Sequence, residues 1–95
     1  MSDTIIEILE NIGVDPDSGE EKEDYLVFEL YDYDYFNEVY NNLERHPEVD
    51  RDSDNSTLDI EYAHITYVYK NLLLELVAIL DEDDYTLNIF EGEDD

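Results

Sequence analysis

The stretch 63-AHITYVYKNLLLELVAIL-80 decides the fold, because its apolar residues lend themselves to a helical period. Ile65, Tyr69, Leu72, Leu76 and Ile79 follow steps of four, three, four and three, and Val68, Leu73, Val77 and Leu80 broaden the stripe. This spacing predicts a helix over 63–80 that forms the backbone of the core. Its greasiest part, 72-LLLELVAIL-80, is too short for a membrane span and is broken by Glu75.

Working outward, 57-TLDIEY-62 alternates as a strand before that helix. The acidic turn 81-DEDD-84 ends the helix, 85-YTLNIF-90 alternates as a last strand, and 91-EGEDD-95 is a charged tail. Towards the amino terminus, Ile5, Ile8, Leu9 and Ile12 share one helical face, with Thr4 and Glu7 spaced as a capping box and Gly13 as the stop. An acidic loop, 14-VDPDSGEEKED-24, leads to a strand over 25–33 whose Leu26, Phe28 and Leu30 point one way. Asp34 then caps a helix carrying Phe36, Val39, Tyr40 and Leu43, which Pro47 stops. The expectation is one α+β domain over 1–95: a three-stranded antiparallel or mixed sheet with helices on one side, in the order α-β-α-β-α-β.

Apolar residues make up 42% of the chain and aromatic residues 13%, enough to build a core despite a formal charge of −25. Twenty-nine Asp and Glu face four cations, Lys22, Arg45, Arg51 and Lys70, so most carboxylates have no cationic partner within the molecule. Direct binding to nucleic acid or to an anionic membrane is excluded, because both need Lys and Arg to replace counterions. With no cysteine there is no disulfide or thiolate site. The start, MSDTIIEILE, lacks the basic and apolar regions of a secretion signal, so a soluble, cytoplasmic protein is expected. Oligomeric state is left open.

The window 50-DRDSDNSTLDIE-61 puts Asp50, Asp52, Asp54 and Glu61 at positions 1, 3, 5 and 12, the ligand spacing of an EF-hand calcium loop. Asn55 stands where that loop has its sharp-turn Gly, Thr57 where it has an aliphatic residue, and Pro47 ends the incoming helix too early. An acidic hairpin or loop is the expected reading, with no cofactor. His46 and His64, without a Ser or Cys nucleophile motif or a phosphate-binding Gly loop, do not make a catalytic site, and no carboxylate pair is singled out as acid and base. A function other than catalysis is expected.

The charge itself is the strongest signal. A domain of this length has a diameter of roughly 32 Å, so its net charge amounts to about one per 1.3 Å, against about one per 1.7 Å for duplex DNA. The stretch 31-YDYDYF-36 alternates carboxylate and ring, and read as extended chain it sets Asp32 and Asp34 on one side with Tyr31, Tyr33 and Tyr35 on the other. Tyrosine is a frequent interface anchor, and nine exceed what so small a core requires. The expected partner-binding residues are Asp32, Tyr33, Asp34 and Tyr35, with Asp81, Glu82, Asp83, Asp84 and Tyr85.

By size, charge and the texture of 31-YDYDYF-36, 81-DEDDY-85 and 91-EGEDD-95, the chain resembles the phage-encoded DNA mimics, the anti-restriction and anti-CRISPR inhibitors. The resemblance implies a protein that occupies the basic nucleic-acid channel of a nuclease or CRISPR effector, with carboxylates in place of phosphates. Such mimics share no single fold, so it carries over no site residues. Three other readings compete: a calcium-binding module on residues 50–61, an acidic adaptor or chaperone for basic proteins, and a halophile-adapted domain. The last sits poorly with two Ala and three Gly, since halophilic surfaces lean on Ala, Gly and Val.

Overall fold

The computed structural model describes residues 3–59 and 61–91, the side chains of 53–55 and 58 excepted. Ile60 of the expected second strand and residues 92–95 of the expected tail lie outside the described residues. Within them run two helices, α1 (Asp3–Ile12) and α2 (Tyr33–Arg45), and six strands: β1 (Glu20–Glu21), β2 (Leu26–Leu30), β3 (Asp50–Leu58), β4 (Tyr62–Tyr69), β5 (Leu72–Ile79) and β6 (Asp84–Glu91). The strands form one antiparallel sheet in the order β1-β2-β6-β5-β4-β3.

This overturns the expected three-stranded sheet and its α-β-α-β-α-β order. The helix expected over 63–80 is a β-hairpin, with β4 and β5 in unbroken register from Tyr62↔Ile79 to Tyr69↔Leu72 around the turn Lys70-Asn71. Lys70 takes the left-handed conformation, φ 54°, that lets so short a connection reverse the chain. The buried apolar residues follow a period of two, Ile65, Tyr67 and Tyr69, then Leu72, Leu74, Leu76 and Ala78, with Thr66 buried on the other face of β4 as well. Four residues of the helical stripe, Ile65, Tyr69, Leu72 and Leu76, lie on the face of that apolar row, where the two-residue turn shifts the parity between strands, and a second, half-buried row on the other face, Leu73, Val77 and Ile79, completes and broadens it. Five consecutive β-branched or aromatic residues, 65-ITYVY-69, favour the strand.

The helices answer their sequence more closely. α1 buries Ile5, Ile8, Leu9 and Ile12 and closes in a Schellman motif. There Val14 N–H donates to Leu9 O at 2.8 Å and Gly13 N–H to Glu10 O at 3.3 Å, with Gly13 at φ 84°. The expected capping box is not formed, because α1 already includes Asp3 and Thr4; Glu7 instead accepts a hydrogen bond from the Tyr69 hydroxyl at 3.1 Å. α2 buries Phe36, Val39 and Leu43. The expected loop 14–24 holds a 3-10 turn over Pro16–Ser18 and the short strand β1, and Gly19 lies so close under the Phe28 ring that a Cβ would have no room.

Both helices cover the face of the sheet carrying Phe28, Leu30, Ile65, Tyr67, Tyr69, Leu74, Leu76, Leu87 and Ile89, which makes the molecule two layers deep. Register defines its two ends. One is the row Tyr69, Leu72 and Glu91; the other is the row Tyr62, Ile79 and Asp84, seven residues along each strand. The rows are about 23 Å apart at the usual strand rise.

Candidate functional site

The stretch 31-YDYDYF-36 is not extended. Asp32 is the N-cap of α2, its Oδ1 accepting from the Tyr35 N–H at 2.8 Å, so Asp32 and not Asp34 caps the helix. Asp34 lies in the first turn, where a carboxylate meets the positive end of the helix dipole. The alternation therefore winds onto a helix, and residues four and three apart meet: Tyr31 stacks on Tyr35 with ring centroids 6.4 Å apart, and Tyr33 approaches Phe36 at 6.1 Å. Tyr31 and Tyr33 are exposed, at 75% and 52%. Tyr35 is half-buried, its hydroxyl donating to Gly13 O at 3.4 Å, and burial raises its pKa above the ordinary phenol value.

The second acidic segment lies beside the first. Leu30 pairs with Tyr85, so the start of α2 and the start of β6 share one end of the sheet. A 3-10 turn over Leu80–Glu82 brings the chain to Asp83, whose φ of 51° turns it into β6. Tyr85 packs edge-on to Tyr33 at 6.1 Å and against Phe36 at 5.3 Å. It is only 3% exposed, and its hydroxyl donates to Asp83 Oδ1 at 3.1 Å. Burial, then this bond to Asp83, raises its pKa. Of the expected anchors, Tyr33 is thus open to a partner, Tyr35 partly so, and Tyr85 is a core residue on which Tyr33 rests. Asp81, Glu82 and Asp83 are exposed, and Asp84 is half-buried.

Tyr62 and Leu80 join the same end and were missed in the sequence. The Leu80 N–H donates to Glu61 O at 3.0 Å, and the Asp59 N–H to Tyr62 O at 2.7 Å, which fixes the β3–β4 turn beside the 81–84 turn. Tyr62 is 39% exposed and Leu80 38%. A hairpin reading of 63–80 would have found them, since alternation then sets Tyr62 across from Ile79 at the hairpin's open end. Asp59 and Glu61 add carboxylates there, both exposed.

The calcium-spaced residues are not on a loop between helices. Asp50 and Asp52 lie on the edge strand β3, opposite Val68 and Thr66, and Glu61 is in the β3–β4 turn. The register shifts between Asp52 and Thr57, and Ser56 closes that irregularity by donating to Asp52 O at 2.6 Å and accepting from the Thr66 N–H at 3.0 Å. The Asp54 side chain lies outside the described residues. Among the described residues, no group of three or more His, Asp or Glu is arranged to hold a metal ion. His64 Nε2 is 3.4 Å from Glu75 Oε2 on the open face of the sheet, beside a shallow hollow of about 300 Å³ lined also by Thr66 and Leu73. His46 Nδ1 accepts from the Glu48 N–H at 3.1 Å, at the opposite end of the molecule. These separate placements assemble no nucleophile with a base.

No protein-family model, curated protein or solved structure matches this chain. Among the described residues, no helix is long and apolar enough to cross a membrane.

Proposed function

We propose that this protein is a DNA mimic that inhibits a nuclease or another DNA-binding protein by occupying its basic groove. The observation that carries the reading is charge density. The chain's −25 lies on a body 38 Å in its longest dimension, one net charge per about 1.5 Å. With Glu93, Asp94 and Asp95 set aside, as they lie outside the described residues, the spacing is about 1.7 Å, the charge spacing of duplex DNA along its axis. A groove that holds duplex by its phosphates would meet a comparable potential on a rigid, folded surface.

Rigidity supports the same reading. The carboxylates at the α2 end are held by local structure: Asp32 by the helix cap, Asp83 by its left-handed turn and the Tyr85 hydroxyl. A fixed array loses less entropy on binding than a flexible acidic tail.

The test is neutralisation without a change of shape. Asn serves as an N-cap, tolerates the left-handed conformation and keeps an amide oxygen for Tyr85, so Asp32, Asp34, Asp83 and Asp84→Asn together should fold as the parent does. In inhibition assays on purified DNA-binding nucleases, this variant should inhibit far less well, with a weaker dependence on salt. Inhibition equal to the parent's, by a variant shown to be folded, would refute mimicry through this end.

A further inference from the structure

The large apolar side chains left exposed are not spread over the surface. Among the described residues they are Tyr31, Tyr33, Tyr62, Leu80 and Val68, and all but Val68 stand at the Tyr62–Asp84 end of the sheet. From Tyr62 on β4 to Tyr31 beyond β2 is three strand spacings, about 14 Å.

The four cations are gathered at the other end. Lys70 forms the β4–β5 turn, where Nζ lies 5.2 Å from the Tyr69 ring centroid and 3.9 Å from Glu7 Oε1. Arg51 pairs across from Tyr67 and lies 3.7 Å from Glu44. Lys22 follows β1 and lies 3.1 Å from Glu20. Arg45 ends α2 beside His46, whose ring is 5.3 Å from that of Tyr69. No Lys or Arg is therefore near Tyr31, Tyr33, Tyr62 or Leu80, while carboxylates flank them from the α2 cap, the β3–β4 turn and the 81–84 turn.

We propose that this aromatic end is the leading contact surface, and that it selects a protein surface carrying arginines in preference to lysines. This rests on the proposal of a basic protein partner and names the chemistry of its contact. A guanidinium is planar and weakly hydrated; it stacks on a phenol ring while pairing bidentately with a neighbouring carboxylate, which an ammonium cannot do. Tyr33 packs on Tyr85 at 6.1 Å, and the Tyr85 hydroxyl bonds Asp83 Oδ1 at 3.1 Å and feels the charge of Asp32, so this ring stands among carboxylates of both acidic segments. Carboxylates alone favour a guanidinium only through bidentate pairing; rings set among the acids add planar stacking and widen the discrimination.

The test titrates the full chain with a nona-arginine and a nona-lysine peptide, following backbone amide shifts and affinity. Shifts should concentrate at 31–35, 61–62 and 80–85, with the arginine peptide binding at least about 3-fold more tightly, because both cations are attracted to a ring face and only the planar guanidinium also stacks on it and pairs bidentately with a carboxylate. Tyr31→Ala with Tyr33→Ala should cut the preference by more than half while leaving lysine binding in place. Because Tyr33 rests on Tyr85, Tyr31→Ala alone and Tyr62→Ala are parallel variants that leave the core untouched, and each should shrink it. Equal affinities for the two peptides, or shifts spread over both ends, would overturn the inference. If arginine docks at this end yet the protein never displaces DNA from a nuclease, this surface stands and DNA mimicry falls.

Discussion

Replacing Leu74 by alanine tests the β4–β5 hairpin at a residue that a strand and a helix treat in opposite ways. In the hairpin, Leu74 is fully buried between Tyr67 on β4 and Ile89 on β6, whereas Ile79 ends β5 on the open face and is half-buried. On a helix with the 65, 69, 72, 76, 79 stripe, Ile79 would face the core and Leu74 would point about 180° away. Burying a leucine fully and then truncating it costs about 2 to 5 kcal/mol, including the cavity left behind. In a domain of this size about 3 kcal/mol lowers the melting temperature by roughly 12 to 24 °C. Ile79→Ala should cost about 1 kcal/mol, since much of its side chain already meets solvent. Urea unfolding followed by circular dichroism would measure both. An Ile79→Ala loss larger than that of Leu74→Ala would refute the hairpin and every placement built on it.

Because 29 acidic residues face four cations, melting temperature should climb steadily with sodium chloride from about 10 mM to 0.5 M; a flat response would mean the charges are compensated locally. Alkali should unfold the protein by a route the buried phenols set. Tyr67, Tyr69 and Tyr85 have raised pKa values, first through burial and then through bonds to Glu44, Glu7 and Asp83. Their folded values exceed the unfolded one, so their contribution is complete below pH about 10 and is lost as pH rises beyond it. Tyr67→Phe should therefore move the midpoint of alkaline unfolding upward, and an unchanged midpoint would exclude Tyr67 as a cause. Asp32→Ala should cost about 1 kcal/mol and Asp32→Asn almost nothing in thermal melts, since Asn also caps; equal losses would deny Asp32 its capping role.

Legibility followed local chemistry. The α1 stripe of Ile5, Ile8, Leu9 and Ile12, its Gly13 stop and the alternation at Leu26, Phe28 and Leu30 each depend on near neighbours, and each was readable. The hairpin was not, because its two faces are both partly apolar: Leu73, Val77 and Ile79 filled the positions that would have exposed a period of two. Its turn, Lys70-Asn71, also lacks the Gly that usually announces one. The run of aspartates and tyrosines after Leu30 misled in the opposite sense, since alternation imitates a strand while Asp32 acts as a helix cap. Both segments named as partner-binding, 32–35 and 81–85, do lie together, yet the burial of Tyr85 and the exposure of Tyr62 and Leu80 depend on strand order, which no local pattern records.

Equilibrium competition with duplex DNA tests the central claim most directly. A purified nuclease that binds this protein would be loaded with labelled duplex and titrated with the protein while DNA release is followed by fluorescence anisotropy. Mimicry predicts complete, mutually exclusive displacement: the apparent affinity weakens in proportion to added DNA, and association slows as salt rises. A complex in which nuclease, saturating DNA and this protein stay bound together would contradict it.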